Sequence, residues 1–172
     1  MRDKDKHPWA ARGIELRSEL LLALDREAVS AYARDEECCG LLTGSAATLL
    51  VDELVPMQNR AAKLHALDPV TYPRTARMYF DIDPLKFERA VAQGAERGRP
   101  VKVLYHSHLD AGAYFSETDA AATTMGGVEP AYDLAYLVTS VMKGAVGARA
   151  LFVWRPDTRT FVEAPLTVLD AE

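Results

Sequence analysis

Cysteine is scarce in this 172-residue chain, and the two present, Cys38 and Cys39, are neighbours. Adjacent cysteines rarely bond to each other, and two make no disulfide framework. That excludes a disulfide-stapled secreted scaffold and fits a reducing compartment. Long apolar runs are missing too, and no stretch reaches the length of a membrane span. The opening "MRDKDKHPWAARG" carries positive charge with no apolar run behind it, so it does not read as a secretory leader. It is polar, and residues 1–13 are expected to form a flexible segment. The expected localisation is cytoplasmic, with no membrane partner. A basic stripe is also lacking, and the formal net charge of −5 disfavours a nucleic-acid partner. Repeats, linkers and low-complexity tracts are not visible. What is present suits one domain with a real core over residues 14–172, since 49% of the residues are hydrophobic.

Hydrophobic periodicity outlines the elements. "IELRSE" (14–19) opens as a strand, and residues 20–36 follow as a helix with Leu20, Leu24, Ala28 and Ala31 on one side. "CCGLLTG" (38–44) reads as a buried strand and 48–59 as the next, a hairpin turning near "GSAA". Residues 60–76 hold two prolines and no clear period. They read as a long loop, and long loops in compact domains are often functional. "RMYFDI" (77–82) reads as a strand. Asp83 caps the next helix, Pro84 sits at its first position, and Gly98 ends it; Leu85, Phe87, Ala90, Val91 and Ala95 form its apolar face. "VKVLYH" (101–106) is a strand and 116–125 a helix, with Ser116 as cap and Asp119 in the first turn. Three strands complete the chain, at 132–142, 148–156 and 159–169. Strands alternating with single helices indicate a mixed α/β (α+β) domain, a curved sheet with helices against it.

One stretch carries chemistry: "YHSHLDAGAYFSETD" (105–119). Side chains two apart on a strand point the same way, so His106 and His108 can face one point in space. Imidazole is a preferred zinc ligand, and Asp119 can be folded back as a third. Two histidines and a carboxylate with a fourth position open is the catalytic pattern, as opposed to the closed structural one. A lone strand histidine is usually a core or surface residue, and Ser116 and Asp119 have an ordinary reading as cap and first-turn acid; capping and ligation do not exclude each other. Hydrolysis also needs a base. Glu36, Glu37 and Glu117 are candidates. Glu117 is expected to point away. Glu37 ends the first helix and would reach the metal if the strand after it lies beside the histidine strand, but geometry alone does not choose between Glu36 and Glu37. Cys39 as a nucleophile is a weaker reading than a small core residue. Tyr136, Phe152 and Trp154 read as core. Arg74 and Arg77 read as a solvated face, with a substrate carboxylate or an acidic partner as the functional alternative.

His106-x-His108, seven residues, Ser116, two residues and Asp119 match without a gap the JAMM signature of the MPN/JAB-domain metalloproteases. "ECCGLLTG" (37–44) resembles that family's upstream E-x-C-G-L-L-x-G element, and the resemblance continues through Asn59, "DIDPLKF" (81–87) and "YDLAYLVTSV" (132–141). It implies a sheet flanked by helices, similar to the cytidine-deaminase core. It implies zinc on His106, His108 and Asp119, with Glu37 shuttling the proton and Ser116 hydrogen-bonding the tetrahedral intermediate or the bound water. The deaminases' own P-C-x-x-C element is absent, so deamination is not expected. Where the family places prolines in the ligand loop, this chain has Leu109 and Phe115, which predicts a more mobile or differently shaped loop.

Members of that family cut after the C-terminal Gly-Gly of ubiquitin-like or sulfur-carrier proteins. The resemblance therefore implies a prokaryote-type zinc peptidase or isopeptidase with such a protein as partner. Two alternatives belong to other classes. A non-catalytic MPN scaffold would not need the intact ligands and Glu37. A RadC-type DNA-repair-associated protein typically reads H-N-H-P-S-G where this chain reads "HSHLDAG".

Overall fold

The apolar strands meet in one mixed sheet. The computed structural model describes residues 7–124 and 128–170; expectations falling on residues 1–6, and on Met125 at a helix end, lie outside the described residues. Six strands lie in the spatial order β3 (Glu53–Met57), β2 (Cys39–Thr43), β4 (Val101–Leu109), β5 (Ala135–Met142), β6 (Ala145–Arg155) and β7 (Thr160–Ala164). β4 and β5 are parallel and the other neighbours antiparallel. A parallel pair needs a crossover connection. Here the crossover carries α5 (Glu117–Thr124), so the topology itself returns Asp119 to the strand that bears the histidines.

Helices cover both faces, giving the expected curved mixed sheet of an α+β domain. On one side α2 (Ser18–Ala33) sets Leu24, Ala28 and Ala31 against Leu42, Val103, Tyr105 and Leu137. On the other, α4 (Pro84–Glu96) sets Phe87, Ala90 and Val91 against Leu41 and Tyr136. The sequence signals for α4 hold: Asp83 Oδ1 accepts from the Leu85 and Lys86 amides, and Gly98 follows with φ +69°. Leu85, assigned to its apolar face, is instead 70% exposed. Gly40 is needed for a different reason. A Cβ there would lie 2.3 Å from the hydroxyl of Tyr105, which donates to Glu27 Oε2 at 2.6 Å and ties β4 to α2.

Several elements depart from the sequence reading. Within the N-terminal segment, Trp9–Arg12 form a helical turn, α1, and Trp9 is only 1% exposed because its ring packs into the main core. β1 (Ile14–Arg17) ends before Ser18, and α2 stops at Ala33. Asp35, with φ +59°, then turns the chain, so Glu37 lies beyond the helix and not at its end. The expected loop 60–76 contains α3 (Ala61–Leu67), whose first amide is taken by Asn59 Oδ1. Residues 77–82 are not a strand. Asn59 replaces the ladder: its Nδ2 donates to the Tyr79 carbonyl, and its Oδ1 accepts the Asp81 amide. The strand expected at 159–169 breaks at Pro165, which lacks an N–H. Beyond it, β8 (Leu166–Leu169) pairs in parallel with β1.

Candidate metal centre

Strand alternation delivers the histidines. His106 and His108 lie near the end of β4 on the α4 side of the sheet, and both are buried. Their Nε2 atoms are 3.2 Å apart. Asp119 Oδ2 lies 3.2 Å from the first and 3.3 Å from the second. Ligand atoms at zinc distances of about 2.0–2.1 Å stand about 3.3 Å apart in a tetrahedron. This triangle therefore fits a metal ion, with one tetrahedral position left to solvent or substrate. The tautomer fits as well. His108 Nδ1 lies 2.8 Å from the Gly112 carbonyl, which can only accept; in the neutral ring Nε2 then presents a lone pair to the group.

Asp119 is held by a reciprocal cap. Its amide donates to Ser116 Oγ at 3.0 Å, and its Oδ2 accepts the Ser116 amide at 3.0 Å. That is a capping box written as Ser-x-x-Asp. The cap leaves Asp119 Oδ2 beside both imidazoles, so capping and a place in the candidate metal group are compatible. Burial would raise the Asp119 carboxyl, but the two imidazoles and the Ser116 amide hold it well below the usual carboxylate range. Burial pushes His106 down. It opposes the charge on His108 too, yet Asp119 and the Gly112 carbonyl leave that ring above its ordinary value.

Strand register now separates the two glutamates. Cys39 pairs with His106 in β2 and β4, and the Cys38 carbonyl accepts the Ser107 amide. Continuing that register puts Glu37 beside His108, on the face of the histidines. Glu37 is 5% exposed, and its Oε2 has no hydrogen-bond partner among the described residues. Burial, with the Asp119 charge behind it, pushes its carboxyl up to about 9. Glu36 turns outward to Arg34 at 2.8 Å. Glu117 is exposed and lines the cavity beside α5.

The family of prokaryotic homologs of the JAB domain matches residues 19–155. The chain belongs to that family. It is a family that includes zinc isopeptidases. Solved structures agree on the fold. A protein from Desulfitobacterium hafniense, DSY2949, superposes with a TM-score of 0.62 at 21% identity, over 92% of this chain and 94% of its own. A protein from Salinibacter ruber gives 0.58 at 24% identity, over 92% and 94%. AF2198, a JAB1/MPN domain protein from Archaeoglobus fulgidus, gives 0.52 at 18% identity, over 91% and 99%. No curated protein matches the chain.

The JAB domain's other candidates take structural places. Cys39 is fully buried, its Sγ 3.7 Å from the Met57 carbonyl, and burial raises its thiol far above the ordinary value. Tyr136, Phe152 and Trp154 pack in the core or against it, as read from the sequence. Arg74 is exposed, in keeping with the solvated-face reading, and its Nη1 donates to Thr118 Oγ1 at 2.7 Å. Phe115, one of the two replaced loop prolines, packs against Tyr136, Phe152 and Phe161, so an aromatic anchor shapes the loop. Tyr114 of the ligand loop, 53% exposed, stands 5.0 Å from the His108 ring. One neighbour of the site went unread: Phe80 stacks on the His106 ring at 4.6 Å, and only its place beside Tyr79 in an apolar segment hinted at it. Among the described residues no helix is long and apolar enough to cross a membrane.

Proposed function

We propose that this JAB domain is a zinc-dependent peptidase or isopeptidase that cuts after the C-terminal Gly-Gly of a ubiquitin-like or sulfur-carrier protein. The observation that carries the reading is the unpartnered oxygen of buried Glu37, on the same face as the three converging ligand atoms. A buried polar atom without a partner is costly, and such atoms cluster where chemistry uses them. His106, His108 and Asp119 would hold the ion. Zinc, when bound, supplies Lewis acidity and positive charge, which make water nucleophilic near neutral pH and draw the proton affinity of Glu37 down.

Glu37 then takes the proton of the attacking water and returns it to the leaving amine. Its backbone is fixed for this: its amide donates to the Ala76 carbonyl at 2.7 Å, and its own carbonyl accepts from Asn59 Nδ2 at 3.0 Å. Ser116 Oγ already accepts the Asp119 amide, and its hydroxyl proton remains available to an oxyanion. Phe80 and Tyr114 flank the two imidazoles and exclude water from them.

The substrate end follows from the walls. A cavity of about 600 Å³ lies between the 61–79 segment and α5, lined by Ala61, Leu64, Tyr72, Arg74, Tyr79 and Thr118. It reaches the residue before Asp119. β3 is one of the two outer strands of the sheet, and Pro56 within it cannot donate, so a peptide pairing along it forgoes a backbone bond there. Tyr114 narrows the approach at His108. Glycine carries no side chain to collide there. In a carrier–reporter fusion joined through Gly-Gly, changing the last glycine to valine is expected to abolish cleavage and leave docking of the globular carrier intact. Equal cleavage of both fusions overturns the Gly-Gly reading in favour of a general peptidase.

A further inference from the structure

Arg77 joins two segments that enter the site from different directions. Its Nη1 donates to Asp35 Oδ1 at 2.5 Å, and its Nη2 to Asp110 Oδ2 at 2.8 Å. Asp35 lies two residues before Glu37, and Asp110 two residues after His108. Both aspartates have left-handed backbones, with φ of +59° and +53°. Asp and Asn accept that conformation more readily than most residues. One turns the chain out of α2 toward Glu37, and the other turns it out of β4 into the ligand loop.

The surroundings make this a hub. The Asp110 carboxylate also accepts from Tyr32 Oη at 2.9 Å and from the Lys143 amide at 2.8 Å, and its own amide donates to the Val141 carbonyl. On the arginine's side, the preceding residue, Ala76, offers the carbonyl that holds the Glu37 amide. Phe80, three residues on, stacks on His106. A guanidinium fork holds two carboxylates in fixed directions, which an ammonium group does not. Arg77 is 40% exposed, so these ion pairs add little to global stability. Their effect is local.

We infer that Arg77 is a positioning residue: by bridging Asp35 and Asp110 it fixes the Ala76 carbonyl, and through it the backbone of Glu37 against the ligand group. The activity arm of this inference rests on the hydrolytic reading; the structural arm does not.

The test uses zinc-loaded full-length protein. Arg77→Ala is expected to speed amide hydrogen exchange at Glu37 roughly tenfold, with Leu137 and Leu151 in the core unchanged. Zinc content stays at the wild-type level. On the Gly-Gly fusion kcat falls roughly ten- to a hundredfold, as for other displaced catalytic groups, while KM stays within about twofold. Arg77→Lys, which keeps the charge and loses the fork, recovers only part of kcat. Arg97→Ala removes a different exposed ion pair, to Glu53 at 3.7 Å, and changes neither readout. Unchanged exchange at Glu37 in Arg77→Ala overturns the inference whether or not any substrate is cut. Equal loss of protection at Glu37 and in the core also overturns it, because that is general destabilisation. Faster exchange at Glu37 alone, where the wild-type protein also cuts no Gly-Gly fusion, upholds the positioning role and overturns the Gly-Gly reading instead.

Discussion

β4 buries charge-bearing side chains at both ends, and the two ends treat them differently. Near its start, Lys102 is 0% exposed and sits at a bulge, where Leu42 pairs with Val103 but Thr43 pairs with Val101. Its Nζ donates to the Thr48 and Leu50 carbonyls at 2.6 and 2.9 Å and lies 4.9 Å from the Trp9 ring centroid. Near the other end, His106 and His108 converge with Asp119 on one point, and Glu37 beside them keeps an unpartnered oxygen. Burial of a charge is costly in both places. At Lys102 carbonyls and a ring offset the cost, so that end holds the fold together. At the histidines the capacity to bind is left over, and it points into one space. Unused, convergent polarity separates a candidate site from a satisfied core charge more sharply than burial does.

The largest expected effect tests the unused end. Glu37→Gln keeps the shape but cannot carry a proton, and turnover of the Gly-Gly fusion is expected to fall by about two to four orders of magnitude. Zinc content and the circular dichroism spectrum stay unchanged, and Glu36→Gln is nearly silent in the same assay. Reversed results for the two glutamates would show that the continued strand register does not hold past Cys38.

Metal removal tests the convergence itself. Zinc at about a thousand times its dissociation constant is expected to stabilise the protein by about 4 kcal/mol. Thermal melts with zinc and with a chelator measure this. In His106→Ala, His108→Ala the two melts should coincide, and elemental analysis should find no bound zinc. Zinc retained at full occupancy by that double variant would place the ion elsewhere.

The smallest effect belongs to Lys102. Burial lowers its pKa to about 8 in the folded state, against 10.5 for an ordinary lysine. Between those values the unfolded chain binds the extra proton, so stability rises with pH across this window. Below pH 8 both states are charged and the full burial cost applies. Wild type should therefore gain on Lys102→Met by about 2 kcal/mol between pH 7 and pH 10, read as the difference in denaturant midpoints multiplied by m. A flat difference would mean that the ammonium is as well solvated by its carbonyls and Trp9 as by water.

Local chemistry was legible. The two-residue spacing of His106 and His108 needs only a strand, and Ser116 with Asp119 needs only the first turn of a helix. The caps of α4 were readable for the same reason: they are made between residues a few positions apart. Residues 77–82 were misread because a side chain distant in sequence, Asn59, replaces the ladder that their apolar pattern suggested. α3 was missed because seven residues give barely two turns of periodicity, and the cap comes from outside the helix. The packing of Trp9 was not readable, because its burial depends on a core built mostly from residues far along the chain.

By itself the sequence determined the candidate ligand types, their spacing, the helix that carries Asp119 and the alternation that pairs the histidines, because those follow from bonds and dihedrals within a few residues. The tertiary structure decided which glutamate faces the group, which aromatics wall it, and that Arg77 bridges Asp35 and Asp110. Those choices depend on strand register and on a parallel crossover, and both are settled only when segments distant in sequence compete to bury the same faces.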